Sequence, residues 1–260
     1  MPRKPLSRKW PELLRSDVAV TELVYGIHSV EHELLSGKRH PKTLYHCEAC
    51  ARGGELLALA QRCGVAVRTV SRAELERLTG ASEHQGVALL VDDFCYLSLE
   101  ELVHSCRDER HALLLIMDGI TDARNFGAIL RSADAAGCRG VIIAKDRACP
   151  VTAAVHKVSS GALAHAAVCR VVNLARAMEY LKVAGFWIFG LAGESIEPVF
   201  GRDLRGRVAL VVGNEEKGLR PQVRRTCDML LSIPMLGRVS SLNVSVAASI
   251  AMFEVVRQRL

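Results

Sequence analysis

Residues 208–221 read VALVVGNEEKGLRP, a continuous apolar run that passes straight into a glycine, an amide and two acids. A strand with one wet face alternates apolar and polar side chains; this one does not, so both of its faces must be covered. That is the pattern of a parallel sheet between helix layers. The run LLLIM at Leu113–Met117 repeats it, and further strands are predicted at Gly140–Ala144, Ala166–Val171, Trp187–Leu191 and Met229–Ile233. Residues 111–260 therefore read as one α/β unit with a parallel sheet.

Upstream, residues 22–93 carry a shorter βα rhythm, a small α/β module. Helices are predicted at Gly26–Ser36, Glu55–Arg62 and Arg72–Leu78, and strands at Lys42–His46, Val65–Val70 and Gly86–Val91. Ser71 with Glu74 three positions on forms a capping box for the third helix. Residues 94–110 are a polar-edged linker with a short helix after Ser98. Residues 1–21 form a basic arm, in which Arg3, Lys4, Arg8, Lys9 and Arg15 face the single acid Glu12.

The chain has 260 residues, half of them hydrophobic, with 34 basic and 28 acidic side chains and a net charge of +6. This composition excludes wholesale disorder. No apolar run approaches the ~20 residues that cross a bilayer, and the first fifteen residues lack an apolar signal core, so a cytoplasmic protein without membrane contact is expected. A basic arm suits a polyanion or is simply a solvated terminus. Nine cysteines in a chain of this length do not imply a disulfide framework. Cys47 and Cys50 form one CxxC beside His46, with Cys63 downstream, but the second ligand pair of a zinc site is missing. Reduced, partly buried thiols and no metal are expected.

Ligands of open parallel sheets gather at the carboxyl ends of the strands. No G-x-G pair, P-loop, H-E-x-x-H or G-x-S-x-G occurs, which weighs against dinucleotide chemistry, nucleotide hydrolysis and the common hydrolases. Three loops remain. In Asp122–Arg131, Asn125 and Arg131 bracket a helix start, Gly127 allows close backbone approach, and Arg124 and Arg131 suit a phosphate. An Asn cap with surface arginines is the other reading. In Gly213–Pro221, Glu215 and Glu216 suit a hydroxyl or a cation, or form a charged turn. In Ile233–Asn243, Ser241 and Asn243 offer a hydroxyl and an amide at the start of a helix, where Asn243 is equally a good N-cap. That last helix, Asn243 to about Gln258, is apolar nearly all round. It must be covered on more than one side, and a dimer contact through residues 243–258 is expected.

The three loops in this order, RNFGAILRSADAAG, VVGNEEKGL and IPMLGRVSSLNVSVA, resemble the three motifs of the SpoU-type (TrmH-like) ribose 2′-O-methyltransferases of the SPOUT superfamily, with no departure at the polar positions. YGIHSVEHEL and HQGVAL resemble that family's small RNA-binding domain, so the likeness spans about residues 22–260. The resemblance implies a C-terminal trefoil knot in the catalytic sheet and S-adenosylmethionine as cosubstrate. It places Gly213, Ile233, Leu242, Ala192, Gly193 and Met235 at the cofactor. It assigns Arg131 to activating the ribose hydroxyl, as base or as electrostatic stabiliser, with Glu215, Ser241 and Asn243 orienting Arg131 and the ribose and Asn125 shaping the same pocket. The implied substrate is large-subunit ribosomal RNA, most closely a guanosine of 23S RNA. A transfer-RNA enzyme, a resistance-type adenosine methyltransferase and a non-catalytic assembly factor are the alternatives. Lys38, Arg39, His40 and Lys42 are expected to grip RNA as a local patch.

Overall fold

The computed structural model describes residues 21–260; the charged residues of the basic arm, Arg3 to Arg15, lie outside the described residues. The small domain comprises β1 (Thr21–Tyr25), α1 (Ile27–Ser36), β2 (Pro41–His46), α2 (Gly53–Arg62), β3 (Ala66–Thr69), α3 (Arg72–Thr79) and β4 (Val87–Asp92). Its sheet has the order β1-β4-β2-β3, with β4 antiparallel to both β1 and β2 and only β2–β3 parallel. The sheet is therefore mixed. β1 escapes the sequence pattern because its partner, β4, lies more than 60 residues away and TELVY is too short to show a period. Ser71 caps α3 by accepting from the Glu74 N–H at 3.2 Å. The complete reciprocal box is at Ser98 and Glu101, opening α4 (Leu99–Ser105).

The second domain follows as β5 (Leu113–Asp118), α5 (Ala123–Ala135), β6 (Gly140–Ala144), α6 (Ala153–Val158), α7 (Ala162–His165), β7 (Val168–Val171), α8 (Leu174–Val183), β8 (Trp187–Leu191), β9 (Val208–Gly213), α9 (Pro221–Thr226), β10 (Met229–Leu231) and α10 (Val244–Arg259). Every neighbour in its six-stranded sheet, β10-β8-β9-β5-β6-β7, is parallel. All six side chains of β5 are buried, as the unbroken apolar runs require. Separate apolar clusters fill the two faces. One packs α5 and α10 against the sheet through Phe126, Ile129, Ala248 and Met252, and the other packs α8 and α9 through Leu174, Met178 and Val223. β10 ends at Leu231, two residues before the predicted end, which leaves Ile233 in the following loop.

One local expectation needs correction. The Lys38–Lys42 stretch is not an open cationic patch. Arg39 is buried, donating to Glu33 at 2.5 and 3.1 Å and to Glu22 at 2.8 Å, with its guanidinium over the Phe94 ring. Lys42 pairs with Asp92 at 2.9 Å, and Lys38 donates to the His165 carbonyl at 2.6 Å. Arg39 is committed to the domain junction, where its NH2 nitrogen also lies 3.1 Å from Nε2 of the buried His156 of α6.

The cysteines are all free, and burial pushes the thiols of Cys138, Cys169 and Cys227 up to about 12. Around the CxxC, His46 is taken by Thr69 and Cys63 by the Leu34 carbonyl. No group of three metal-ligating side chains assembles among the described residues.

Candidate active site

The loops after β8, β9 and β10 converge on one pocket at the carboxyl end of the sheet. Its walls are Leu191, Ala192 and Gly193 after β8, Val212, Gly213, Asn214, Glu215 and Gly218 around the end of β9, and Leu231, Ile233, Met235, Ser240, Ser241, Leu242, Val244 and Ala247 from β10 to α10. The pocket thus gathers Gly213, Ile233, Leu242, Ala192, Gly193 and Met235, residues spread from position 192 to position 242 of the chain. Its surfaces are mainly aliphatic side chains and exposed backbone, with Glu215 and Ser241 as polar walls.

Gly213 is fixed by close approach rather than by its dihedral angle. A Cβ there would lie 2.4 Å from the Gly218 carbonyl carbon and 2.6 Å from the Leu219 nitrogen. The chain folds back tightly because Asn214 and Gly218 exchange backbone hydrogen bonds of 3.1 and 2.8 Å. The Asn214 side chain accepts from the N–H groups of Glu216 and Lys217 inside that turn.

A polar relay crosses from α10 to this loop. The Asn243 amide donates to Asn125 Oδ1 at 3.0 Å, and the Asn125 amide donates to the Glu215 carboxylate. Asn243 also caps α10 by accepting from the Ser245 N–H at 2.9 Å. Asn125 is not a cap: α5 starts at Ala123, and Asp122 caps it by accepting from the Arg124 N–H at 2.9 Å. Arg131 consequently lies in the body of α5, less than two turns beyond Asn125. It is exposed, and it makes no hydrogen bond or ion pair among the described residues. The structure joins Asn125, Glu215 and Asn243 but does not bring Arg131 into contact with them.

Gly127 has a different task from the expected one. A Cβ there would stand 2.6 Å from Val158 Cβ, so its close approach serves the packing of α5 on α6, not a ligand.

Residues 112–253 match the SpoU rRNA Methylase family and residues 23–97 match the family described as RNA 2′-O ribose methyltransferase substrate binding. The chain belongs to the SpoU methylase family. It is 42% identical over 246 residues to the 23S rRNA (guanosine-2′-O-)-methyltransferase RlmB of Vibrio vulnificus, spanning 92% of this chain and 98% of the relative. The RlmB of Xylella fastidiosa is 43% identical over 242 residues, spanning 91% and 96%. Among solved structures, the SpoU methyltransferase AviRb of Streptomyces viridochromogenes superposes with a TM-score of 0.78 at 27% identity, over 92% of this chain and 90% of that one. The same protein is known in complex with AdoMet.

Asn214, Asp118 and Arg220, which anchor the loop of this SpoU pocket, escape sequence reasoning. Asn214 organises the turn that carries Glu215 and donates to the Gly119 carbonyl at 3.1 Å. Asp118, with no exposed surface, accepts from the backbone and guanidinium of Arg220 at 2.7 and 2.5 Å. The available signal is an acid placed directly at the end of an all-apolar strand, where an unpaired carboxylate would be costly.

Proposed function

We propose that this protein transfers a methyl group from S-adenosylmethionine to the ribose 2′-hydroxyl of a guanosine in 23S ribosomal RNA. The observation that carries this reading is the meeting of three separate loops in one pocket beside the Asn243–Asn125–Glu215 relay. RlmB relatives at 41–43% identity over nine-tenths of the chain support the base and the RNA.

The pocket suits the cosubstrate. Its aliphatic walls, Leu191, Ile233, Leu231 and Leu242, offer apolar cover to a purine. At the close fold of the loop, Gly213 and Gly218 line the cavity without side chains. Gly213, Ile233, Leu242, Ala192, Gly193 and Met235 would hold the cofactor. When bound, S-adenosylmethionine supplies an electrophilic methyl group.

The protein's own residues do the positioning, from which much of the acceleration comes. Glu215 is held by Asn125, which is held in turn by Asn243, so the carboxylate presents a fixed acceptor to the ribose. Ser241 lines the same pocket. Arg131 has only donors and no acceptor atom. It holds a substrate phosphate and stabilises charge developing on the 2′-oxygen, rather than removing the proton.

The C-terminal segment is threaded as a trefoil knot. In support, β9 inserts between β5 and β8, β10 returns outside β8, and α10 crosses back to α5 and β9. The α10 surface is completed by a second copy of the chain: its one internal carboxylate, Glu254, is buried against Arg257 and Gln258, while Val246 and Phe253 face outward. No helix among the described residues is long and apolar enough to cross a membrane.

Incubation with methyl-labelled S-adenosylmethionine and separated RNAs tests the reading. Label at a single guanosine ribose of 23S RNA is expected. Transfer only to transfer RNA, or binding without transfer, overturns it. Light scattering at micromolar concentration should give twice the chain mass.

A further inference from the structure

The end of β5 sits at the centre of the catalytic sheet, with Asp118 in register with Gly213 of β9. Its carboxylate is wholly buried, and a buried charge is tolerated only when paired and hydrogen-bonded. Both oxygens are used, and both by Arg220: Oδ2 accepts from its backbone N–H at 2.7 Å and Oδ1 from its Nε at 2.5 Å. The next residue, Gly119, accepts from the Asn214 amide at 3.1 Å through its carbonyl. Asn214 and Arg220 are the two ends of the loop that carries Glu215. Asp118, the last residue of β5, and Gly119, the residue that follows it, therefore hold both ends of that loop.

Between the anchors the loop has little freedom. Asn214 and Gly218 are bonded to each other, Asn214 Oδ1 takes two more backbone N–H groups, and any side chain at Gly213 would strike the Gly218 backbone. The position of the Glu215 carboxylate, and of the pocket wall at Gly213 and Gly218, is set from β5.

We propose that Asp118 is the positioning residue of this site, acting through Arg220 to hold the Asn214–Arg220 loop in the geometry that presents Glu215 and closes the cofactor pocket. The inference rests on the methyltransferase reading of the same pocket. A purely structural anchor would lower stability and leave binding and turnover of the folded protein alone. A positioning residue moves both.

The test compares the full-length protein with Asp118→Asn and Arg220→Ala, well below each melting temperature, by calorimetric titration of S-adenosylmethionine and single-turnover methylation of 23S RNA. Asp118→Asn turns an amide donor toward the Arg220 donors. S-adenosylmethionine binding should weaken about tenfold. At saturating cosubstrate the single-turnover rate should fall about a hundredfold, the scale of an ångström-level misplacement. RNA affinity should stay within about twofold. Arg220→Ala alters a partly exposed side chain and keeps the backbone contact, so it should fold even where Asp118→Asn does not, with binding about threefold weaker. Combining the two changes should cost no more than Asp118→Asn alone. Folded variants with unchanged binding and rate overturn the proposal; for an unfolded Asp118→Asn, unchanged values in Arg220→Ala do so. A native protein that neither binds nor transfers overturns the methyltransferase reading instead.

Discussion

The molecule holds two polar networks of opposite character, one at the catalytic pocket and one at the domain junction. At the junction, Arg39, Glu33 and His156 are almost wholly buried, with Glu22 beside them, and each spends its polar atoms on the others. At the pocket, Asn125, Glu215 and Asn243 form a relay open to solvent, and the nearby cation Arg131 is exposed with no partner among the described residues. The junction is a closed set of charges, and closed sets hold domains together. The pocket is an open set, and open valences are what a substrate meets. Charge alone does not separate the two, since each contains an arginine and a glutamate.

The comparison is sharpest for substitutions that strand a charge. Glu33→Ala leaves the Arg39 guanidinium buried without its bidentate partner and should lower stability by about 3–5 kcal/mol. Chemical denaturation reads this, and S-adenosylmethionine affinity of the folded fraction should not change. Arg131→Ala should do the reverse. Transfer is expected to fall about 10²–10³-fold, with stability within about 0.5 kcal/mol of the parent. Full activity in that variant would place the phosphate-holding cation elsewhere. Gly213→Ala pushes a methyl group into the Gly218 backbone and should cost about 1–3 kcal/mol, seen as weaker S-adenosylmethionine binding in titration.

The smallest effect is the pH response of the junction. Burial alone would raise the Glu22 carboxyl, but hydrogen bonding and charge from His156 and Arg39 outweigh it and hold it below its ordinary 4.5. Its folded-state value is thus depressed, so its contribution is present above about 4.5 and is lost as the pH falls through the folded value. Glu22→Gln should flatten the acid limb of a melting-temperature profile as the pH falls below about 4.5. An unchanged acid limb would remove Glu22 from the network's pH response.

The catalytic sheet is readable from local sequence because β5 and β9 are covered on both faces, a state that unbroken apolar runs report without reference to the rest of the chain. The three loops are readable as motifs. What is not readable depends on partners distant in sequence. Arg39 looks like RNA-binding charge until Glu22, Glu33 and His156, up to 117 positions away, close around it. Asp118 follows directly on an apolar run, and the partner that accounts for it, Arg220, lies 102 positions downstream. Gly127 signals a close approach correctly, but the sequence does not say to what; Val158 is the answer. Helix α10 announces double coverage by its composition, yet only the structure shows that Glu254 turns inward while Phe253 turns outward.

One short helix has a mechanical role that neither network shows alone. α6 spans six residues. It offers His156 to the junction and, two positions on, presses Val158 onto α5 at Gly127, where there is no room for even a methyl group. α5 is the helix that carries Asn125 and Arg131. A displacement of the small domain that drags His156 with it must therefore either bend α6 or shove the helix bearing the reactive-end residues. The six residues of α6 thus touch the buried junction on one side and the helix of Asn125 and Arg131 on the other.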